Sequence, residues 1–217
     1  MQKMKRLRLK TNKAVWLLSI IYVVGIIGLN SPLKDTFRVL TPLNLVITAL
    51  ILFYYHKDWG RSFIYFCLLV YTGGYFIELI GTTTGNVFGQ YFYGKTLGLR
   101  IMGVPLIIGL NWLILIYSVG VYLAPAKAPM LLKIIGGSLL MVLIDVFIEP
   151  VAMASDFWQW ESGMPPLLNY IGWFFTSSVF FTVFYMMDFK KENKIAPFVY
   201  YIQLMFFLIM SLSSTSI

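Results

Sequence analysis

Cysteine and histidine are almost absent from this sequence. The 217-residue chain has one cysteine, Cys67, and one histidine, His56. A single cysteine can neither close a disulfide within the chain nor build a cysteine metal cluster. One histidine, with Lys57 and Asp58 as neighbours, argues against a histidine-rich metal site and predicts a solvated side chain in a loop. We therefore predict no metal site.

Charged residues are also scarce. Only 12% of the residues are charged, 59% are hydrophobic, and the mean hydropathy is +0.79. These values are typical of integral membrane proteins and not of soluble domains. The net charge of +8 comes from basic residues that cluster at 1–13 and between apolar segments. This clustering fits the positive-inside rule and contact with anionic lipid, so we predict no binding to nucleic acid.

Seven apolar segments are long enough, or nearly so, to cross about 30 Å of hydrocarbon. They lie at 14–30, 39–55, 62–80, 101–123, 130–154, 166–187 and 195–213. With the N-terminus inside, 13 of the 17 Lys and Arg residues fall on the inner side and 4 on the outer side. This asymmetry predicts an inner N-terminus and an outer C-terminus. The predicted fold is an all-α polytopic membrane bundle in one domain, 1–217, with a basic tail at 1–13. The expected location is the bacterial cytoplasmic membrane.

Carboxylates inside the apolar segments are the unusual feature of the sequence. Asp145 and Glu149 lie in the stretch "LIDVFIEPVAM", four residues apart, so a helix places both on one face. Glu78 lies in "YFIELIG", in what we expect to be the last turn of the third helix. Ionisable groups within a membrane are costly and mark candidate functional sites. Two structural alternatives stay open: Glu78 as a solvated helix end, and Glu149 as part of a kink at Pro150.

Polar and aromatic residues are expected close to these acids. The topology brings the fourth helix to the depth of Asp145, and it places the loops at 81–100 and 155–165 over the acids from outside. The candidate substrate-binding residues are Tyr91, Tyr93, Asn111, Trp112, Trp158 and Trp160. The aromatic residues could instead belong to an interfacial belt, and Asn111 could serve only helix packing. Whether residues 85–100 form an ordered lid or an ordinary loop is open.

Carboxyl groups in an apolar, aromatic pocket suit a particular chemistry. A buried carboxyl can stay protonated and donate its proton, while a second carboxylate holds and deprotonates water. Aromatic faces stabilise a cation formed between the two events. The constellation indicates hydration, or cation-type cyclisation, of a lipid-soluble isoprenoid alkene.

The combination of motifs resembles the membrane carotenoid 1′,2′-hydratases, which include the bisanhydrobacterioruberin-type hydratases. The similarity covers about residues 65–190. It is carried by E-x-x-G-x-x-x-G and "FGQYFYG" (78–94), "GVP" (103–105) with Trp112, D-x-x-x-E-P-x-A (145–152) and W-x-W (158–160).

This resemblance implies cofactor-independent addition of water to the terminal double bond of an acyclic carotenoid end, as in lycopene or γ-carotene. The implied partners are the carotenoid, water and membrane lipid, with other carotenoid biosynthesis enzymes as candidates. We assign proton donation to Asp145, the deepest acid, and the positioning and deprotonation of water to Glu149 and Glu78. The division between acid and base is not fixed by the sequence.

Three other classes of protein were weighed against this interpretation. A membrane carotenoid cyclase shares the first proton transfer but loses a proton where a hydratase captures water. A small proton-coupled transporter also uses buried carboxylates near prolines. A retinal protein needs a lysine in its last helix for a Schiff base, and the segment 195–213 contains none.

Overall fold

The structure, a computed structural model, describes the backbone of residues 2–214 and the side chains of residues 11–213. Helix α1 begins at Gln2, so the backbone of the predicted basic tail is helical and continuous with the first apolar segment. The basic side chains at positions 1–10 lie outside the described residues.

The chain folds into helices with four short strands on one side. The helices are α1 (Gln2–Leu29), α2 (Lys34–Val39), α3 (Thr41–Tyr54), α4 (Arg61–Thr84), α5 (Ile107–Leu123), α6 (Met130–Ala154), α7 (Leu167–Met186) and α8 (Ala196–Ser214). The strands are β1 (Tyr91–Tyr93), β2 (Arg100–Ile101), β3 (Val104–Pro105) and β4 (Trp158–Trp160).

The predicted all-α membrane bundle is confirmed. Within the described residues, five helices are long and apolar enough to cross a membrane: α1, α4, α6, α7 and α8. Helices α3 and α5 are apolar but shorter, with 14 and 17 residues. At 1.5 Å per residue, α5 is about 25 Å long, just under the hydrocarbon thickness. The chain is therefore an integral membrane protein, while the seven crossings, their orientation, the single domain and the bacterial membrane stay predictions.

Two predicted boundaries were wrong. The fourth segment was expected to be helical from residue 101, but β2 and β3 form an antiparallel hairpin there and α5 begins at Ile107. Met102 and Gly103 make the turn with φ of 50° and 87°. Helix α4 continues to Thr84 and ends at Gly85, a left-handed cap with φ of 66°. Glu78 therefore lies six residues before the end of α4, and not in its last turn.

Helix α5 lies at the centre of the bundle. It packs against α3, α4, α6, α7 and α8, and its buried positions surround the helix from Trp112 to Val121. A helix that is apolar on all sides belongs in the core of a bundle. Close packing with α4 depends on Gly74, where an added Cβ would lie 2.8 Å from the Cβ of Trp112. This close approach brings Trp112 beside Glu78, one turn further along α4.

The loop at 85–99 is ordered over the ends of the helices. Strand β1 pairs with β4 in antiparallel register, with Tyr91 opposite Trp160 and Tyr93 opposite Trp158. The backbone N–H of Gly94 donates to the carbonyl of Phe157 at 2.9 Å, which extends the pairing beyond the strands. The two predicted covering loops thus form one small sheet, and the question of lid or ordinary loop is answered in favour of an ordered lid.

The expectation for His56 was wrong. Its side chain is only 4% exposed and stacks on Phe63 with ring centroids 3.5 Å apart. Its ring nitrogens contact the hydroxyl of Tyr117 at 2.7 Å and the carbonyl of Asp58 at 2.8 Å. The sequence places His56 beside charged residues, but the end of α3 turns its ring into the aromatic core.

Candidate active site

Three carboxyl groups meet beneath the β1–β4 sheet. Helix α4 contributes Glu78, and helix α6 contributes Asp145 and Glu149 from one face. Their side chains are 5%, 0% and 2% exposed. In the described part of the chain the one salt bridge joins Arg38 to Asp35, so these three acids have no basic partner. The alternative of Glu78 as a solvated helix end is wrong, because its side chain is buried.

Glu78 is held by three donors from the sheet and α5. The hydroxyls of Tyr91 and Tyr93 donate to Oε2 at 2.5 and 2.7 Å. The indole Nε1 of Trp112 donates to Oε1 at 2.9 Å. Burial and the nearby Glu78 raise the pKa of Tyr91 and Tyr93 well above the usual range, so both phenols keep their protons and serve as donors. Both oxygens of Glu78 thus act as acceptors in a fixed orientation.

Glu149 is held mainly by the other strand of the sheet. The indole nitrogens of Trp160 and Trp158 donate to its Oε2 at 2.7 and 3.1 Å. The two tryptophans reach the same oxygen because residues two apart on a strand point to the same face. Between them, Gln159 faces the other way and donates to the carbonyl of Met153 at 2.8 Å.

Asp145 is the most buried of the three acids and the least satisfied. Its Oδ2 accepts a hydrogen bond of 2.6 Å from the Nδ2 of Asn169. Its Oδ1 is buried without a partner among the described residues. An unpaired acceptor in an apolar site is unfavourable, so this oxygen is a position for a proton or for a donor such as water.

Asn169 joins two of the acids and was missed in the sequence. Its Nδ2 donates both to Asp145 and to the Oε1 of Glu149, the latter at 3.1 Å. It lies in the first turn of α7, held by a bond from its backbone N–H to the carbonyl of Pro166. One turn further, Trp173 stacks on Trp112 with centroids 4.4 Å apart, and it was also missed. An amide in the first turn of an apolar helix was the one signal that could have identified Asn169.

A small cavity lies between Glu78 and Glu149. The volume of this cavity that is accessible to water is about 20 Å³, which is enough for about one water molecule. The lining residues are Glu78, Phe88, Tyr91, Tyr93, Ile108, Asn111, Trp112, Glu149, Trp158, Trp160, Asn169 and Trp173. Asp145 is not among them and reaches the cavity through the bridge at Asn169.

The structure therefore brings every predicted site residue into one region. The six predicted substrate-binding residues line the cavity together with two of the three predicted catalytic acids. Their chemical roles stay predictions.

Comparison with known proteins gives a family and one relative. The profile of the family described as carotenoid biosynthesis protein matches residues 39–217. The bisanhydrobacterioruberin hydratase of Haloarcula japonica is 30% identical over 120 residues, an alignment that covers 48% of this chain and 39% of that protein. The match thus spans well under half the length of the relative. No solved structure gives a significant match. The similarity to the carotenoid hydratases noted in the sequence is confirmed.

Proposed function

This chain belongs to the carotenoid biosynthesis protein family, and from that premise we propose that it is a carotenoid hydratase. It adds water to the terminal 1′,2′ double bond of an acyclic end group, of the lycopene or γ-carotene type. The observation that supports this proposal most strongly is the one-water cavity between two carboxyl groups, walled by indole and phenol rings. The named relative is itself a hydratase.

The reaction needs an acid first. Asp145 and Glu149 share the single amide of Asn169, and two adjacent carboxyl groups resist being ionised together. In the proposed mechanism this pair holds the proton, and Glu149 presents it because Glu149 lines the cavity and Asp145 does not. The proton adds to C2′, the π electrons of the double bond form the new C–H bond, and C1′ becomes a tertiary cation.

The reaction then needs a base and a nucleophile. Glu78, with three donors fixing both oxygens, is the acceptor that orients the water in the cavity. The water oxygen bonds to C1′ and its proton passes to Glu78, which leaves a tertiary alcohol. Return of that proton to the acid pair restores the starting state, so no cofactor is consumed.

The aromatic residues serve the cation between these steps. Ring faces carry negative potential and attract a cation within about 6 Å. Trp112 stacks on Trp173, the rings of Tyr91 and Trp160 lie 5.0 Å apart, and all four residues line the cavity. A cation formed at C1′ is enclosed by ring faces and has one water within reach.

Entry of the substrate requires the lid to move. The cavity accommodates a water molecule and not a branched end group. The β1–β4 sheet is the movable wall, because its strands have only three residues each. A carotenoid is about as long as the hydrocarbon is thick, so its end reaches the sheet when the chain lies along the bundle.

Pigment analysis tests the proposal. The protein is expressed in bacteria that accumulate lycopene or γ-carotene, and pigments are separated and weighed by mass spectrometry. We expect products heavier by one or two waters, and none with Asp145→Asn. Glu161→Gln is the matched control, because Glu161 is an exposed carboxyl beside the sheet. An isomer of unchanged mass identifies a cyclase, and unchanged pigment beside an abundant, folded protein contradicts the proposal.

A further inference from the structure

A second and larger cavity lies on the lipid side of the bundle, among α1, α3, α6 and α8. Its volume accessible to water is about 260 Å³. This volume is just below the range of roughly 300–1,000 Å³ that is typical of small-molecule binding sites. We call it the lateral cleft. Its rim carries exposed apolar residues, including Ile20, Val24 and Leu43, so it opens toward lipid.

Two amide oxygens without partners lie in this apolar cleft. Gln203 is 2% exposed and uses its Nε2 to donate to the hydroxyl of Tyr22 at 3.1 Å. Its Oε1 is buried without a partner among the described residues, and so is the Oδ1 of Asn44. Both residues line the cleft. Buried acceptors are normally paired, so the cleft is built for a ligand with a hydrogen-bond donor.

The cleft is separate from the carboxylate cluster but lies at the same end of α6. Val151 lines the cleft, and Glu149 lines the one-water cavity. Two residues along a helix are about 200° apart, so these side chains lie on opposite faces of α6. Phe157 lines the cleft, and its neighbour Trp158 lines the cavity.

We propose that the lateral cleft binds the hydroxylated end of a linear isoprenoid alcohol, whose hydroxyl donates its single hydrogen bond to the amide oxygen of Gln203. The ligand must come from the lipid phase, since the cleft opens there, and it must carry a donor. A hydrocarbon has no donor, and an acyl chain offers none at its tip. The identification of this alcohol as the product of hydration rests on the proposed function, and the cleft is then the site that receives the product.

Binding is measured with purified protein in nanodiscs, using lycopene and its 1-hydroxy-1,2-dihydro derivative. Both pigments are achiral, so circular dichroism in the polyene band reports only bound pigment. We expect the hydroxylated pigment to bind at least tenfold more tightly than lycopene. Gln203→Leu removes the amide oxygen and should abolish this difference, whereas Asn12→Leu removes an exposed amide of α1 outside the cleft and should preserve it.

A second pair of variants tests whether the pigment binds in the lateral cleft. Gly25 lines the cleft with Phe206 3.5 Å from an added Cβ, so Gly25→Leu fills the space. It should remove the high-affinity signal, while Gly136→Leu, on α6 beside Leu123, should leave it unchanged.

Equal affinities for the two pigments, or an unaltered signal in Gly25→Leu, would overturn the proposal. So would a phospholipid that stays in the cleft and is not displaced by the alcohol. Binding is read in the Asp145→Asn background, in which the proposed function allows no turnover. Selective binding by a protein whose wild type makes no alcohol would therefore contradict only the hydratase assignment. Hydration without selective binding would contradict only the cleft.

Discussion

Two buried polar networks lie at opposite ends of helix α4, and they differ in what they leave unsatisfied. At the N-terminal end of α4, which is predicted to face inside and is called the inner network, His56 contacts Tyr117 and the carbonyl of Asp58, while Asn193 donates to Tyr117 and to the carbonyl of Leu52. The groups are neutral, and each has a partner. At the other end, which is predicted to face outside and is called the outer network, two of the three buried carboxyl groups line a space for one water.

The difference separates a structural network from a candidate catalytic one. Both networks are buried and walled by aromatic rings, so neither burial nor composition distinguishes them. The groups of the inner network satisfy one another's hydrogen bonds. The outer network keeps an unpaired oxygen on Asp145 and an open cavity beside Glu149. Remaining hydrogen-bonding capacity together with space is what indicates chemistry.

The largest effect is expected from the acid pair. Asp145→Asn and Glu149→Gln remove the proposed proton source while keeping the size of each side chain. General acid catalysis contributes about 100- to 10,000-fold, so we expect hydration to fall by that order. This loss is measured as the amount of product formed per folded protein in isolated membranes. Full activity of either variant would remove that residue from the mechanism.

A smaller effect is expected from the donors that orient Glu149. Trp160→Phe removes the 2.7 Å bond and Trp158→Phe the 3.1 Å bond, while both variants keep an aromatic ring. Glu149 gains negative charge as it gives up its proton, and hydrogen bonds to charged groups contribute about 1.5–3 kcal/mol, which corresponds to about a 10- to 150-fold loss of rate. We expect Trp160→Phe to lose more than Trp158→Phe in the same membrane assay. If both variants hydrate at the wild-type rate, the sheet covers the site without orienting Glu149.

A substitution in the inner network should lower the stability of the protein and leave the rate of hydration unchanged. Asn193→Ala removes donors from Tyr117 and from the carbonyl of Leu52. An unsatisfied buried group costs about 1–3 kcal/mol, so thermal unfolding in detergent should occur at lower temperature. Hydration per folded protein should stay within about twofold of the wild type. A selective loss of rate would erase the distinction between the two networks.

The smallest expected effect is a pH dependence from His56. Burial lowers the pKa of this histidine, and the contacts with Asp58 oppose that shift only in part. The unfolded chain takes up a proton near about pH 6.5, and the folded protein does so only at lower pH. The stabilisation by neutral His56 is therefore present above that pH and is lost as pH falls below it. The difference in unfolding temperature between pH 7.5 and 5.5 should shrink in His56→Gln; an unchanged difference would assign it to other groups.

Much of the outer site follows from local spacing. The spacing of four residues from Asp145 to Glu149 puts both acids on one helical face. The spacing of two residues in Tyr91 and Tyr93, and in Trp158 and Trp160, turns each pair to one side of a strand. The pairing of those strands joins segments more than sixty residues apart, and no local pattern gives it.

Other features depended on tertiary contacts. Asn169 is one amide in an apolar segment, and only the packing of α7 on α6 shows that it bridges two acids. The hairpin at 100–105 resembles the start of an apolar helix in composition. The burial of His56 could not be predicted from the sequence, because its neighbours in sequence are charged. Its neighbours in space are the rings of Phe63 and Tyr117.

Isotope labelling tests the central claim most directly, namely that the carboxylate cluster protonates an alkene and captures water at the resulting cation. Membranes containing the protein are incubated with lycopene in water enriched in both deuterium and oxygen-18, with Glu149→Gln as the control. The account predicts an alcohol with one oxygen-18 and one non-exchangeable deuterium on the adjacent carbon, and none from the control. A pigment that carries deuterium but no oxygen-18 would contradict water capture, and an alcohol without carbon-bound deuterium would contradict protonation of the alkene.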